Sequence, residues 1–542
     1  MTSTIVDIQR VLAVLKVSLK YGSKLLLRWL SDKLQLPNVG EALRLALEEL
    51  GLTYLKLGQF LALRFDILPA EICRELNKLF EGVPPMSFDE VCARVESELG
   101  SPLHELFSEF KRVPIAAASV AQVHEAYTND NKKVAVKVQR PGIERLFAAD
   151  MRILWRLARL IDFTGIAGAF SAQEIADQFA TWTKREMDFI MEGHTAERLR
   201  RNAAPYEVVP QIHWELTTKK VLTMEFVEGV SVAKIADMID AGRLTELAAL
   251  LPNLDLAVTG RNIAFAILRQ LFVFGFFQGD PHPGNIFIRD DNTIAFVDFG
   301  IFGELTDRQR ENLAGFFENI ALGNIEQAFR YYAKQHTPTV ETNLKEYERE
   351  GKAIMYLWYQ TSMNPYTSPK ERHMARFAVK MIEAVRRYRL RTDPNTVLLW
   401  RALYALDSSS ERLSDYFDMM AQIRAFFMEE RPGPVQRVAT MIADRYRTAA
   451  LFQLGTEAPD RVERVLSDLA HSKLQSQTQI NESKALRRQS DKQLKSLTQG
   501  VVGIALATVA ISAPMSGIYR AVGSGLALFF FAILIIQNRT HE

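Results

Sequence analysis

Cysteine is almost absent from this 542-residue chain: Cys73 and Cys92 are the two present, and they do not form a Cys-x-x-Cys pair. That excludes a disulfide-stapled scaffold and a cysteine zinc site, and it suits a reducing compartment. Charge of one sign is missing as well. Lys and Arg number 66 against 64 Asp and Glu, a formal net charge of +2. A dedicated nucleic-acid binder would carry a basic excess, so no nucleic-acid partner is expected. No internal repeat of fixed period runs through the chain. No small-residue cleavage site follows a long apolar run near the N-terminus, so no secretory signal is read there. What is present is the composition of a folded protein, 48% hydrophobic and 24% charged, in a chain long enough for several domains.

Residues 5–30 read as an amphipathic helix, with Arg10, Lys16, Lys20, Lys24 and Arg28 set among Val, Leu and Ile. Two placements fit it: docked on the body with its basic face in water, or lying on an anionic membrane. The scarcity of acids before Asp32 is also compatible with a mitochondrial transit peptide. Residues 41–63 form a second helical region, and Pro69 and Pro84-Pro85 mark breaks around a third. From Val113 the texture becomes β-rich. Residues 120–127 and 133–138 flank a Thr-Asn-Asp-Asn turn and read as a hairpin. Long helical patterns follow over 143–163 and 172–200, then 208–214 and 220–226 are expected to form a strand pair. Beyond Val230 helices are expected to about residue 470, interrupted by short strands at 286–288 and 293–297.

Residues 471–498 are a polar linker carrying Lys473, Lys484, Arg487, Arg488, Lys492 and Lys495. Two uncharged stretches follow, 496–519 and 521–538, each close to the roughly 20 residues that cross a bilayer core. They predict a hairpin of two membrane-spanning helices within 499–537, with the basic linker on the cytoplasmic side.

The chemistry sits upstream. Val134-Ala135-Val136-Lys137 ends a predicted strand, and a lysine there can reach the α and β phosphates of a nucleotide. Gly279-Asp280-Pro281-His282-Pro283-Gly284-Asn285 precedes a short strand and Val297-Asp298-Phe299-Gly300. An Asp, an Asn five residues on, and Asp-Phe-Gly after a strand reproduce the protein-kinase arrangement. In that arrangement Asn285 and Asp298 offer hard oxygen ligands to Mg²⁺, while Asp280 orients or deprotonates the nucleophile. A glycine-rich loop is missing: residues 114–124 contain no glycine and instead carry Ala116, Ala117 and Ala118. Glycine lets backbone approach phosphates closely, so the nucleotide geometry is expected to differ. No Ala-Pro-Glu closes an activation segment, and a protein-substrate groove is not assumed. His282 and His124 read as structural residues, and the run Phe272, Phe274, Phe276 and Phe277 as helix core.

The alanine-rich loop, Lys56-Leu57-Gly58-Gln59, Glu186-Met187-Asp188 and the Gly-Asp-Pro-His-Pro-Gly-Asn loop together resemble the UbiB family of atypical kinase-like proteins. The resemblance covers roughly residues 41–302, and the C-terminal apolar pair looks like that of bacterial members. It implies an α+β, protein-kinase-like two-lobe fold with an N-terminal helical extension over the active site and a C-terminal transmembrane hairpin. The implied division is 1–110 for the extension, 111–230 for the N-lobe, 231–470 for a helical C-lobe, 471–498 for the linker and 499–537 for the spans.

By the same resemblance, Lys137 matches the nucleotide-binding lysine and Glu192 its ion-pair partner. Ala116, Ala117, Ala118, Ser119, Val120 and Glu225 complete the implied nucleotide-binding set. Lys56, Gly58 and Gln59 with Glu186 and Asp188 are implied as gating residues, Asp280 as catalytic, and Asn285 and Asp298 as metal ligands. Asp188 and Glu192, four apart, are expected on one helix face toward the cleft. Gln278 stands where kinases and many relatives have His two residues before the catalytic Asp. The implied cofactors are ATP or ADP with Mg²⁺. The implied partners are membrane lipids, prenylated quinone precursors and other enzymes of ubiquinone (coenzyme Q) biosynthesis. The implied location is the inner (cytoplasmic) membrane, with the kinase-like body in the cytoplasm. Two functions compete: an ATPase or small-molecule kinase supporting quinone biosynthesis, and a non-catalytic nucleotide-sensing module that regulates its enzymes. A conventional Ser/Thr kinase is least supported, for want of the glycine-rich loop.

Overall fold

Helices α1 (Thr2–Leu30), α2 (Leu36–Leu50), α3 (Leu52–Ala62) and α4 (Ala70–Asn77) lead into α5 (Phe88–Leu99) and α6 (Leu103–Leu106). Strands β1 (Phe107–Phe110), β2 (Ala116–Ala117), β3 (Ala121–Thr128) and β4 (Lys133–Gln139) follow, then α7 (Ile143–Thr164), α8 (Ala172–Glu186) and α9 (Phe189–Asn202). Next come β5 (Glu207–Val208), β6 (Val221–Glu225) and β7 (Val230–Ser231), then α10 (Val232–Asp240), α11 (Leu244–Leu250) and α12 (Leu256–Arg269). The loop-bearing strands are β8 (Phe276–Gln278), β9 (Ile286–Ile288), β10 (Ile294–Phe296) and β11 (Phe302–Glu304). The remainder is α13 (Asp307–Ala321), α14 (Ile325–Ala333), β12 (His336–Thr337), α15 (Leu344–Met363), α16 (Pro369–Arg372), α17 (Met374–Arg387), β13 (Arg391–Thr392), α18 (Pro394–Leu413) and α19 (Met419–Glu429). The structure is a computed structural model and describes residues 2–30, 36–62, 64, 67–80, 84–164, 171–364, 366–413 and 417–429. The basic linker and the two apolar stretches expected to span a membrane lie outside the described residues.

Strands β1, β3, β4 and β6 run antiparallel in that order, with β2 also paired to β3. Alternation sets the faces of β4. Val134, Val136 and Val138 are buried with Val91 and Val95 of α5, which leaves Lys137 on the opposite face. The β3–β4 connection turns tightly, with Asn131 at φ 59, as its Thr-Asn-Asp-Asn sequence leads one to expect. Because α5 buries its apolar face on this sheet, the N-lobe begins before residue 111, and the N-terminal extension ends near Phe80.

The extension has its own core, in which Val14 and Val17 of α1 meet Leu47, Tyr54, Ile72 and Leu76, together with Ile153 of α7. The apolar stripe of α1 is therefore covered by protein, the docked placement of the two the sequence allows. Arg10 clamps it, donating to both oxygens of the fully buried Asp150 at 2.7 and 3.0 Å.

Three sequence expectations give way. Residues 172–200 are not one helix: α8 ends at Glu186, and Asp188 caps α9 by accepting from the Met191 N–H at 3.4 Å. The 208–214/220–226 pair is reduced to one antiparallel bridge, closed by the His213 N–H on the Thr223 carbonyl and the Glu225 N–H on the Gln211 carbonyl. β5 instead runs parallel to β10, while β6 lies antiparallel to β4, and a single Ile212–Met224 bridge links the two segments. Every residue of β6 from Val221 to Met224 is buried, and its main pairing is with β4 rather than with the preceding segment. The aromatic run also divides. Gly275 at φ 66 ends the helical path, and Phe276 and Phe277 enter β8, which pairs with β11. Phe272 stays in the helical core against Phe317 and Phe427.

Residues Leu256–Phe274 are long and apolar enough to cross a membrane, but 61% of that window is buried inside the fold, as in a core helix. Beside it, burial raises the Glu207 pKa to about 7 against an ordinary 4.5, and its Oε1 makes no hydrogen bond. The unfolded chain loses this proton first, so folding stability falls as pH rises from about 4.5 to 7 and stays reduced above it. Glu207→Gln is expected to add about 2–3 kcal/mol at pH 8 and almost nothing at pH 4. Melting curves at the two pH values check this.

Candidate nucleotide site

The site assembles where β4 faces α9 and the β8–β10 loops. Lys137 Nζ lies 2.6 Å from Glu192 Oε1 and 3.6 Å from Asp298 Oδ1. Asp188 caps α9, and this sets the phase that turns Glu192 inward, where its side chain is fully buried. Burial alone would lower the Lys137 pKa, but Glu192, Asp298 and Glu186 hold it well above its ordinary value. Burial pushes the Glu192 carboxyl up to about 7 against the pull of Lys137. Asp298 ends below its ordinary value because Lys137, the Gly300 N–H and Lys56 outweigh its burial.

The β9–β10 hairpin explains the spacing of the loop residues. Phe296 pairs with Ile286 and the Val297 N–H donates to the Asn285 carbonyl at 3.1 Å. Asn285 Nδ2 thereby reaches Asp298 Oδ2 at 3.3 Å. His282 behaves as expected, accepting the Gly284 N–H at 3.2 Å to cap the turn Pro283–Asn285. His124 is also structural: burial lowers its pKa, and its ring bonds Gln122 and the Lys111 carbonyl at 2.8 Å each. Gln278 has a clear task, since its buried Nε2 donates to the Asp298 carbonyl at 2.8 Å while its N–H donates to Gln270 Oε1 at 2.9 Å.

Lys56 reaches across from α3 to pair with Glu186 at the end of α8. Glu186 in turn lies against Gly300, where an added Cβ would meet its Cγ at 3.5 Å. The other gating residues do not converge with it. Gln59 is buried and donates to the Leu79 carbonyl at 3.0 Å, inside the extension. Gly58 admits Leu79, whose Cδ1 would lie 2.2 Å from an added Cβ. Asp188 is the α9 cap, with Lys219 3.8 Å away on the outside. Glu225 is exposed and accepts from the Gln211 N–H at 3.3 Å, so its carboxylate does not enter the cleft.

The alanine loop is a tight turn. Ala116 and Ala117 pair with β3, and the Ala118 N–H donates to the Ala121 carbonyl at 2.8 Å. Ser119 and Val120 are buried. Arg140 fastens the turn from outside, its Nε on the Ala118 carbonyl at 2.9 Å and its Nη2 on the Pro84 carbonyl at 2.6 Å.

Asp280 accepts from Arg401 Nη2 of α18 at 2.7 Å, and Arg401 is almost fully buried. Arg401 belongs to no motif and was not singled out from the sequence. The available signal was a lone cation inside the apolar run Val397-Leu398-Leu399-Trp400-Arg401-Ala402-Leu403.

The donor set suits a divalent cation. Glu186 Oε2 and Glu192 Oε2 are buried without hydrogen-bond partners, and the side chains of Asn285 and Asp298 meet through the Asn285 amide nitrogen. Among the described residues no three His, Cys, Asp or Glu side chains form a metal group by themselves. Mg²⁺ here would complete its octahedral shell with phosphate oxygens and water, as it commonly does.

A model of the ABC1 atypical kinase-like domain matches residues 78–332. The probable protein kinase UbiB of Pseudomonas paraeruginosa is 31% identical over 471 residues, which span 83% of each chain. An uncharacterized protein of Synechocystis, sll0095, is 30% identical over 501 residues, 90% of this chain and 85% of that one. The solved complex of Rv3197 with erythromycin from Mycobacterium tuberculosis superposes with a TM-score of 0.49 and 22% identity, covering 69% of this chain and 91% of that one.

Proposed function

The chain belongs to the UbiB family of ABC1 atypical kinase-like proteins, and from that premise we propose that it is a membrane-anchored ATPase or small-molecule kinase supporting ubiquinone biosynthesis. The observation that carries this reading is the meeting of Lys137, the fully buried Glu192, Asn285 and Asp298 in one cluster, with Glu192 Oε2 and the neighbouring Glu186 Oε2 left unbonded. Lys137 holds nucleotide phosphates and is itself held by Glu192. Asn285 and Asp298 hold Mg²⁺, which neutralises charge on the phosphates when bound. Gln278 fixes the backbone that presents Asp298. Asp280, oriented by Arg401, takes the proton from the attacking water or hydroxyl. Lys56 on Glu186 keeps a cation of the chain itself beside the metal ligands, so nucleotide entry requires this pair to move.

The apolar stretches within 499–537 supply the anchor at the cytoplasmic membrane, and the basic linker favours anionic lipids. A prenylated quinone precursor would share that bilayer, as would the other enzymes that act on it. A second reading, a nucleotide-sensing module without turnover, draws support from the alanine turn pinned by Arg140, which leaves little backbone freedom above the phosphates.

Asp298→Asn tests the site. At 100 times Kd, Mg·ATP should stabilise the native protein by about 2.7 kcal/mol. The variant is expected to lose that stabilisation while its nucleotide-free melting temperature changes little. Unchanged stabilisation would refute the metal assignment.

A further inference from the structure

Helices α3 and α8 meet in three rungs spaced four residues apart. Lys56 pairs with Glu186, and the Phe60 ring lies 5.2 Å from that of Trp182. Arg64, just past the end of α3, donates from Nη1 to Gln178 Oε1 at 2.8 Å. Steps of four put Gln178, Trp182 and Glu186 on one face of α8, and Lys56 and Phe60 on one face of α3. The outer rungs are polar; the middle one is apolar and is backed by Phe179, 5.7 Å from Phe60. Trp182 Nε1 is buried and makes no hydrogen bond to a described residue, so packing alone sets the plane of the indole. The indole has a further neighbour on α18. The Arg401 guanidinium sits 5.4 Å from the centre of the Trp182 ring, within cation–π reach. Arg401 is 7% exposed, and its buried Nε has no hydrogen-bond partner among the described residues, while its Nη2 holds Asp280. Leu398, three residues earlier on α18, packs so closely on Gly279 that an added Cβ would lie 2.6 Å from its Cδ1. Gly279 and Asp280 thus rest on one face of α18, and the cation that holds Asp280 leans on a ring that the N-terminal extension holds.

We propose that Trp182 and Phe60 are positioning residues for Asp280, acting through Arg401. A guanidinium bonded to a carboxylate by one nitrogen is free to turn about its last torsions, and an aromatic face beside it removes that freedom. The indole supplies the face, and Phe60 keeps the indole in place. Helix α3 therefore has two tasks. Lys56 closes the cleft, and Phe60, one turn further on, braces the residue that takes the proton. A movement of α3 that frees Glu186 from Lys56 also withdraws Phe60 from Trp182, so an open cleft and a braced Asp280 exclude each other. Turnover then requires α3 to return once the nucleotide has entered. The extension is part of the working site as well as its cover. That Asp280 is the base rests on the function proposed above; the packing from Phe60 through Trp182 to Arg401 does not.

The test is steady-state ATP turnover of the full-length protein in detergent, with Trp182→Leu, Trp182→Phe and Phe60→Leu measured beside the native chain. Both leucine variants are expected to lower kcat by about tenfold or more, since a small displacement of a reacting group can cost about 10²-fold. KM for ATP should not rise, and Mg·ATP stabilisation should persist. Trp182→Phe keeps a ring beside the guanidinium and should recover most of the loss. A purely structural contact would lower the melting temperature and leave kcat of the folded protein alone. Native kcat in either leucine variant overturns the proposal, as does an equal loss in Trp182→Phe and Trp182→Leu. A loss of kcat accompanied by loss of Mg·ATP stabilisation would place the effect on the nucleotide and overturn it too. No turnover by the native protein would refute the ATPase reading instead, and urea unfolding then decides the proposal. Coupling between Phe60→Leu and Arg401→Met that vanishes in Trp182→Leu sustains it, and additivity overturns it.

Discussion

Asp280→Asn is expected to lower ATP turnover by about 10²–10⁴-fold, the usual contribution of a positioned general base, with Mg·ATP stabilisation retained. The separation follows from the geometry. Asn285 and Asp298 meet through the β9–β10 hairpin, whereas Asp280 is anchored from the opposite side by Arg401. The amide keeps the size and hydrogen-bonding reach of the carboxylate but cannot take a proton at neutral pH. Phosphate release from purified protein measures it. Turnover within about twofold of the native protein would show that Asp280 is not the base, whereas no phosphate release by the native protein itself would favour the nucleotide-sensing module.

Arg401→Met should be the most destabilising single change at the site, by about 3 kcal/mol, the lower end for breaking a buried ion pair by removing one partner. Arg401 is 7% exposed, but Asp280 retains 19% side-chain exposure, so water recovers part of the loss. Met keeps much of the volume against Trp182. The diagnostic variant is the double one: Asp280→Asn with Arg401→Met removes the stranded charge and should be more stable than Arg401→Met alone. Urea unfolding of the four proteins gives the coupling. Additive effects would show that the pair is a proximity with no energetic content.

The loop residues were legible because their spacing is local. Asp280, Asn285 and Asp298 lie on one hairpin and its approach, so sequence order alone brings the side chains together. Lys137 was legible for a different reason, the alternation of Val134, Val136 and Val138, which settles the face of β4. The helix break at Met187 was not, since the apolar pattern of 172–200 continues through it with only an Asp to mark a cap. The spacing therefore predicts Asp188 beside Glu192 on one face, whereas Asp188 serves as the start of α9. Gln59 and Glu225 each turn the side chain onto a backbone group, the Leu79 carbonyl and the Gln211 N–H, and no spacing rule reports that direction. Arg140 and Arg401 escaped because their partners, Pro84 and Asp280, are set by tertiary packing. Gln278 shows the reverse. A residue that departs from the kinase pattern keeps the loop in place by a different donor.

The Arg10–Asp150 clamp joins residues 140 positions apart, and that separation has a consequence during synthesis. The surface of α1 that receives α7 leaves the ribosome while its partner has yet to be made. At about 5–20 residues per second, the N-terminal helices wait on the order of 10–30 seconds before Asp150 and Ile153 emerge. Throughout that interval Val14, Val17 and Tyr54 have no α7 to cover them, and Arg10 has no counter-ion. The nascent chain is then most open to chaperone capture or to aggregation. Lowering the elongation rate over residues 60–150 should lengthen this exposure and reduce the soluble yield of a protein whose finished fold is unchanged.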